Sequence, residues 1–350
     1  MNKITLLLVS LFFISGSAFA QDQDFSQFYA SPATLNPALT GAFEGKFRVS
    51  FIYRDQWRTV LDDPITTFAA AADFRFNVLK NRSKNKDAAG FGIVFHKDNP
   101  GLSFSTNQIL LSGAFHKGLS PKGNQYISLG MQLGLAQRNV SYNTLDFHDQ
   151  FNGTNGYTEP TDEVFPENNF AYGDFNVGLN YSYAPDRRPQ IYAGAAMSHI
   201  LNPEVSFYYN PDEEADFPSN RLFRKYTAYV NFVFPIGDFV KISPRALAYI
   251  QGPHFAANAG SNVRLSLSSI SGTALHIGSW VRMAGNEQKS VFADAVVFLA
   301  GVEYQNFLVG FSYDANLSDL ANSRKGQSTF EISVAYLGEY ENDLVVCPKF

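Results

Sequence analysis

Residues 291–314 constrain the fold of this chain more than any other stretch. Val296, Phe298, Ala300, Val302 and Tyr304 alternate with Val297, Leu299, Gly301 and Glu303. After the polar pair Gln305-Asn306, Phe307, Val309, Phe311 and Tyr313 alternate with Leu308, Gly310, Ser312 and Asp314. A two-residue polar break between runs of period two predicts a tight β-hairpin. One face is uniformly apolar and aromatic, while the other mixes small, polar and acidic residues. A wall between lipid and water demands that division.

The rest of the chain repeats the unit. Runs of the same kind begin with Phe47, Val49, Phe51 and Tyr53, and continue through residues 67–76, 89–98, 105–116, 125–138, 170–183 and 190–199. They resume at 222–234, 239–250, 255–267, 273–283, 291–304, 307–315 and 327–338. This predicts an all-β chain, a transmembrane antiparallel β-barrel of about fourteen strands, an even number as in single-chain bacterial barrels. Most runs reach the ~9–11 residues that a tilted strand needs to cross a bilayer. They exceed the ~5–6 residues usual in soluble sheets. A soluble sandwich would make its outer faces charged, yet here they hold many Gly, Ala, Ser and Thr. A propeller would show a blade period, and none appears.

The connections test the topology independently. With a periplasmic N-terminus, odd-numbered connections face outward and are the longer ones. The fifth (139–169) and seventh (200–221) are the longest, and both carry acidic residues, including Asp212, Glu213, Glu214 and Asp216. The even-numbered turns are mostly short and carry Lys80, Arg82, Lys84, Lys117, Lys122, Arg187 and Arg188; residues 77–88 form a longer exception.

Both ends depart from the alternation. Residues 1–20 carry Lys3, a short apolar run and Ala18-Phe19-Ala20, which predicts a cleaved signal peptide. Residues 21–45 are broken by Pro32, Asn36-Pro37 and Gly41 and predict a non-strand arm on the periplasmic side. Such an arm can be a plug or a docking segment, but a tether folded over the lower rim is the reading favoured here. The barrel then covers 46–338, and residues 339–350 form a periplasmic tail, so that both termini face the periplasm.

Chemistry is sparse. Charged residues make up 17% of the chain and the net charge is −5, with no basic stripe for nucleic acid. The one cysteine, Cys347, excludes an internal disulfide or a multi-cysteine metal site. No phosphate loop, dinucleotide fingerprint, His-Glu-x-x-His or nucleophile motif occurs, which predicts a non-enzyme without cofactor or metal. His96 and His116 are expected to face one another across a hairpin, as strand-end histidines rather than ligands. Inward charges at Arg48, Arg54, Asp73, Arg75, Arg282, Glu303, Asp314 and Glu331 are expected inside the lumen. Closure brings the last strands beside the first, so Arg48, Arg54, Asp314 and Glu331 are read as a bracing network across the seam.

Several motifs together resemble the PorP/SprF family of type IX secretion outer-membrane proteins. They are Asp24-Phe25-Ser26-Gln27-Phe28, Asn36-Pro37-Ala38, Thr40-Gly41 and Tyr53-Arg54-Asp55-Gln56-Trp57 near the start. Near the end stand Gly310-Phe311-Ser312-Tyr313-Asp314, Phe330-Glu331-Ile332-Ser333 and Cys347-Pro348-Lys349-Phe350. The resemblance implies an outer-membrane barrel in contact with membrane lipids. It implies a role in secreting or anchoring large surface proteins, beside periplasmic ring components and cargo bearing a C-terminal secretion signal. Phe25, Phe28, Tyr29, Asn36, Pro37, Trp57, Pro348 and Phe350 are then candidate docking residues. The alternative is a substrate-selective porin, with the inward charges and acidic loops as a cation-favouring filter.

Overall fold

The computed structural model describes residues 22–338 except 23, 44, 79–85, 102, 155, 210–219, 269–271, 286–290 and 318–327. The signal segment 1–20, the acids at 212–216 and the tail 339–350, with Cys347, Pro348 and Phe350, lie outside them. Among the described residues fourteen strands form one closed antiparallel barrel. They are β1 (Phe47–Gln56), β2 (Ile65–Asn77), β3 (Ala88–Gly101), β4 (Phe104–Gly118), β5 (Gln125–Val140), β6 (Asn169–Tyr183) and β7 (Gln190–Ser198). Then come β8 (Lys225–Ile236), β9 (Val240–Gln251), β10 (His254–Ser268), β11 (Thr273–Gly285), β12 (Val291–Tyr304), β13 (Phe307–Asn316) and β14 (Ser328–Gly338). Each strand pairs with its neighbours in sequence, and β1 pairs with β14 to close the ring. Closure leaves no edge, so every strand finds backbone partners within the sheet, as hydrocarbon requires.

The alternation predicted for 291–314 sorts as expected. Phe298, Val302, Tyr304, Phe307, Val309, Phe311 and Tyr313 point outward, whereas Glu303, Ser312 and Asp314 are buried inward. The turn closes at Gln305, whose φ of 53° is the left-handed conformation a two-residue hairpin needs. β8 starts at Lys225 rather than near 222, because the Leu222 N–H bonds to the Pro203 carbonyl instead of joining the ladder. The long connections after β5 and β7 leave at the rim opposite the β12–β13 turn. We call these the loop rim and the turn rim. His96 and His116 do not face each other: their β3–β4 partners are Gln108 and Ala88 respectively, so they sit toward opposite ends of the hairpin.

The arm differs from the favoured expectation. It is not folded over a rim but runs inside the barrel. Asp22 bonds at Gln251 and His199, near the loop rim. The chain then descends through a four-residue helix α1 (Pro32–Leu35) and a 3-10 turn (Pro37–Leu39) until the Lys46 N–H meets the Gly338 carbonyl at the turn rim. A period-two pattern needs an inner face in contact with something, and here the arm supplies it. Phe25 and Ala30 pack on Ile52 and Ala69, Ala33 packs on Ala71, Val94 and Leu110, and Tyr29 packs on Trp280 and its neighbours Val297 and Leu299.

Glycines in the wall make room for this path. A Cβ on Gly130 would stand 2.3 Å from the Pro37 carbonyl carbon, and one on Gly90 would stand 2.1 Å from the Thr40 oxygen. Both obstacles are backbone and have no rotamer to yield. Gly130→Ala is therefore expected to unseat the arm while leaving the β5 ladder intact. Limited proteolysis of the folded barrel checks this: cleavage within 22–45 should appear in the variant and not in the parent chain.

Candidate functional site: the latched arm in the lumen

The arm is held at three levels, each built from an ionic group of the wall. At the highest, Asp22 and Asp24 meet the loop-rim ends of β7 and β8. Asp22 accepts from His199 Nε2 at 2.6 Å, while the other ring nitrogen lies 3.0 Å from Asp174. Lys225 Nζ donates to both oxygens of Asp24 at 2.8 and 2.9 Å. Burial opposes charge on the imidazole, but the Asp22 and Asp174 carboxylates outweigh it and raise His199 from 6.5 to about 10. Burial likewise opposes ionisation of Asp22, and His199 with Lys225 outweighs it, holding that carboxyl well below its ordinary value.

The second level unites motifs that lie some three hundred residues apart. Arg54 and Glu331 are direct cross-strand partners on β1 and β14, and their side chains pair across the seam. The Glu331 carboxylate also accepts the backbone N–H groups of Ser26 at 2.7 Å and Gln27 at 2.8 Å. Ser26 Oγ donates to Asp314 at 2.6 Å and accepts from Arg54 and Arg282 at 3.1 and 3.3 Å. Arg282 completes the cluster with Asp314 at 2.6 Å and Asp294 at 2.8 Å. Gln27 satisfies its amide with Ser312, the Glu331 carbonyl and Ser333. Gly310 leaves space for it, since a Cβ there would stand 2.6 Å from Gln27 Oε1.

The third level lies toward the turn rim. Asn36 Oδ1 accepts the Ala38 N–H and so caps the short turn, with Pro37 at its first position. Asn36 Nδ2 donates to the Leu179 and Ala195 carbonyls of β6 and β7. Arg48 grips Asp73 with two bonds, at 3.0 and 2.7 Å, and donates to the Leu39 carbonyl. Asp73 accepts the Gly41 N–H at 2.7 Å, and Arg75 donates to the Gly41 carbonyl at 2.7 Å. His116 stands between Ser128 and the Thr40 carbonyl.

The structure therefore brings Arg54, Asp314 and Glu331 together, but not Arg48. Its carboxylate partner is on β2, because Asp73 stands opposite it in that register while Leu337 stands opposite on β14. Of the docking candidates, Phe25, Asn36 and Pro37 are buried, and Phe28 and Tyr29 are half-buried within the lumen. That placement differs from a set of side chains presented to periplasmic machinery. Trp57 is half-buried at the loop rim, with φ 61° and its N–H on the Ser328 carbonyl. The His199–Asp22 clamp and the glycine seats escaped the sequence reading. Inward glycines inside strands, at 90, 130 and 178, were the available signal, since such positions mark close backbone approach. Among the described residues no group of three His, Cys, Asp or Glu side chains is arranged to hold a metal ion.

Around the arm the lumen is divided. A turn-side chamber is lined by Phe28, Tyr29, Leu39, Phe43, Tyr192 and Tyr229 among others. A more polar loop-side chamber is lined by Asp22, Asp98, Arg138, Asp174, His199 and Lys225 among others. Phe28 and Leu35 border both, so the arm is the partition.

The family model described as type IX secretion system membrane protein PorP/SprF matches residues 17–336, the arm and the barrel up to the last two residues of β14. The chain belongs to this family. No curated protein matches it. Among solved structures it resembles the CymD monoaromatic hydrocarbon channel, at 9% identity over 89% of this chain and 94% of that one, with a TM-score of 0.51. It also resembles the TodX monoaromatic hydrocarbon channel deltaS2 mutant, at 10% identity over 89% and 94%, with a TM-score of 0.50. These likenesses concern the fold alone, that of outer-membrane barrels. Within this PorP/SprF chain, the motifs at 24–28, 53–57, 310–314 and 330–333 converge on one buried cluster.

Two outcomes follow. Glu331→Ala strands the Arg54 guanidinium beside Asp314 alone and leaves two arm N–H groups without their acceptor. Removing one partner of a buried pair costs ~3–5 kcal/mol, so the variant should lose heat resistance on gel electrophoresis; Glu331→Gln should lose less. The second concerns pH. A histidine raised from 6.5 to about 10 contributes stability that is complete below pH 6.5 and is lost as pH rises through about 10. Asp22, held low, contributes above its ordinary value and loses it as pH falls. Protease access to the first arm residues should therefore stay low at neutral pH and rise through about pH 10, and His199→Gln should flatten that alkaline step.

Proposed function

We propose that this chain is an outer-membrane component of the type IX secretion system that helps secrete or anchor large surface proteins through protein–protein contacts, without catalysis. In this reading the turn rim and the tail 339–350 face the periplasm, and the loop rim faces outward. Its partners are ring or other periplasmic components and cargo bearing a C-terminal secretion signal. The observation that carries it is the arm: a segment latched at three levels occupies the passage that a porin would keep open. Function then resides on the rims. With Phe25, Asn36 and Pro37 enclosed, the contact surfaces are Trp57, the two long loops, the turn rim and the tail with Pro348 and Phe350.

The connection after β5 supports a structured loop rim. Phe165 packs 4.6 Å from Tyr142 and 4.8 Å from Phe147, ring to ring, and Phe207 of the connection after β7 packs on Phe104 and Phe170. Aromatic rings held in this way form rigid contact area at small entropic loss. The substrate-selective porin with a cation-favouring lumen is the competing reading, and the partition weighs against it.

Planar bilayers and envelope crosslinking separate the two. The intact chain is expected to conduct weakly and a chain lacking 22–43 strongly, while crosslinkers placed at the turn rim recover secretion-ring proteins or a surface protein. A large, steady, cation-selective current from the intact chain, with no envelope partner recovered, would establish the porin instead.

A further inference from the structure

The turn-side chamber contains one group that the latch does not use. Arg245, on β9, is 7% exposed, and its Nε and Nη1 have no hydrogen-bond partner among the described residues. No carboxylate pairs with it there, whereas Arg48, Arg54, Arg264 and Arg282 each have one. Its guanidinium lies over the Tyr29 ring, whose centroid is 4.0 Å from Cζ. A ring face attracts a cation but offers no acceptor in the guanidinium plane. Guanidinium does not deprotonate in proteins, so neutralisation cannot relieve its burial. Its neighbours across the ladder are Asn231, whose Oδ1 is also unpartnered, and Gly260, which has no side chain.

The chamber that Arg245 lines has a matching character. Its described lining contains Arg75, Arg245 and His116 but no Asp or Glu. The remainder is largely aromatic and aliphatic, with Phe28, Tyr29, Phe43, Tyr126, Tyr192 and Tyr229. A largely apolar pocket with a few placed polar groups is the form small-molecule sites take. A planar guanidinium at its inner end selects a carboxylate.

We propose that the turn-side chamber is a binding site for a small amphiphilic carboxylate, with the acid head on Arg245 and the apolar body among the aromatic side chains nearer the turn rim. This goes beyond the secretion role and does not depend on it: the site is defined by the arm and wall, whatever docks on the rims. Because Tyr29 stacks on Arg245 from the arm, an occupied chamber also adds a contact at the partition.

The test uses the folded full-length barrel in detergent, with empty micelles as the blank. The chain has two tryptophans, so Trp57→Phe leaves Trp280, 6.0 Å from the Tyr29 ring, as the reporter. Titration with 4-phenylbutanoate should give a saturable change in Trp280 emission. The isosteric alcohol, 4-phenylbutan-1-ol, and the amine, 4-phenylbutylamine, should bind at least about tenfold more weakly. Arg245→Met should abolish the preference for the acid while the barrel keeps its heat-modifiable mobility. Equal binding of acid and alcohol to the parent chain, no saturable binding at all, or an acid preference that survives Arg245→Met would each overturn the proposal. Should Arg245→Met fail to fold, the acid–alcohol comparison on the parent chain decides it alone.

Discussion

Backbone amides and carbonyls have no partner in hydrocarbon, and the architecture follows from that requirement. A sheet can satisfy it only by closing on itself, which brings β14 beside β1 and sets Glu331 opposite Arg54. Closure creates a second requirement, because an enclosed lumen has inward groups that must be hydrated or paired. This barrel meets it with its own chain. Glu331 is the hinge of the solution: one carboxylate pairs the seam arginine and accepts two arm amides. Barrel closure and arm seating are thereby coupled through a single side chain.

The arm accordingly behaves as the core of the molecule. Its polar backbone, which lacks strand partners, is satisfied by side chains of the wall: Glu331 for Ser26 and Gln27, Gln132 for Ala33, and Asp73 and Arg75 for Gly41. Its apolar side chains pack on small wall residues such as Ala69 and Ala71, and its backbone fills the space that Gly90 and Gly130 leave open. The result is two chambers of different chemistry. The loop-side one is crossed by ion pairs; the turn-side one is largely apolar and contains Arg245, which has no carboxylate partner among the described residues.

Much of the wall was legible in the order of residues. Alternation gave the strands to within a few positions, because inside and outside differ in solvent and each strand must repeat that difference every second residue. β8 starts later than the alternation suggests, since Leu222 is apolar and buried but spends its N–H on a loop carbonyl. The seam cluster was partly legible, because closure places β14 beside β1. Arg48 was assigned to that seam although its ladder partner Asp73 was already in view on β2. The arm is the least legible part. Its aromatic residues read as a surface for other proteins, but they serve the chain's own interior, and irregular backbone has no period from which to infer what it touches.

Periodicity and the termini of the alternation alone determined that this chain makes a lipid-facing barrel of about fourteen strands with long loops on one rim. Those features arise from a local rule, solvent on one face and lipid on the other, that every strand obeys separately. Only the tertiary structure decided that the arm threads the lumen, that His199 clamps Asp22, and that Arg245 has no counter-charge among the described residues. Those depend on which of many inward side chains come within a few ångströms of an irregular segment. Barrel radius, register and the gaps left by glycine set that proximity together, and none of them is written in any single stretch.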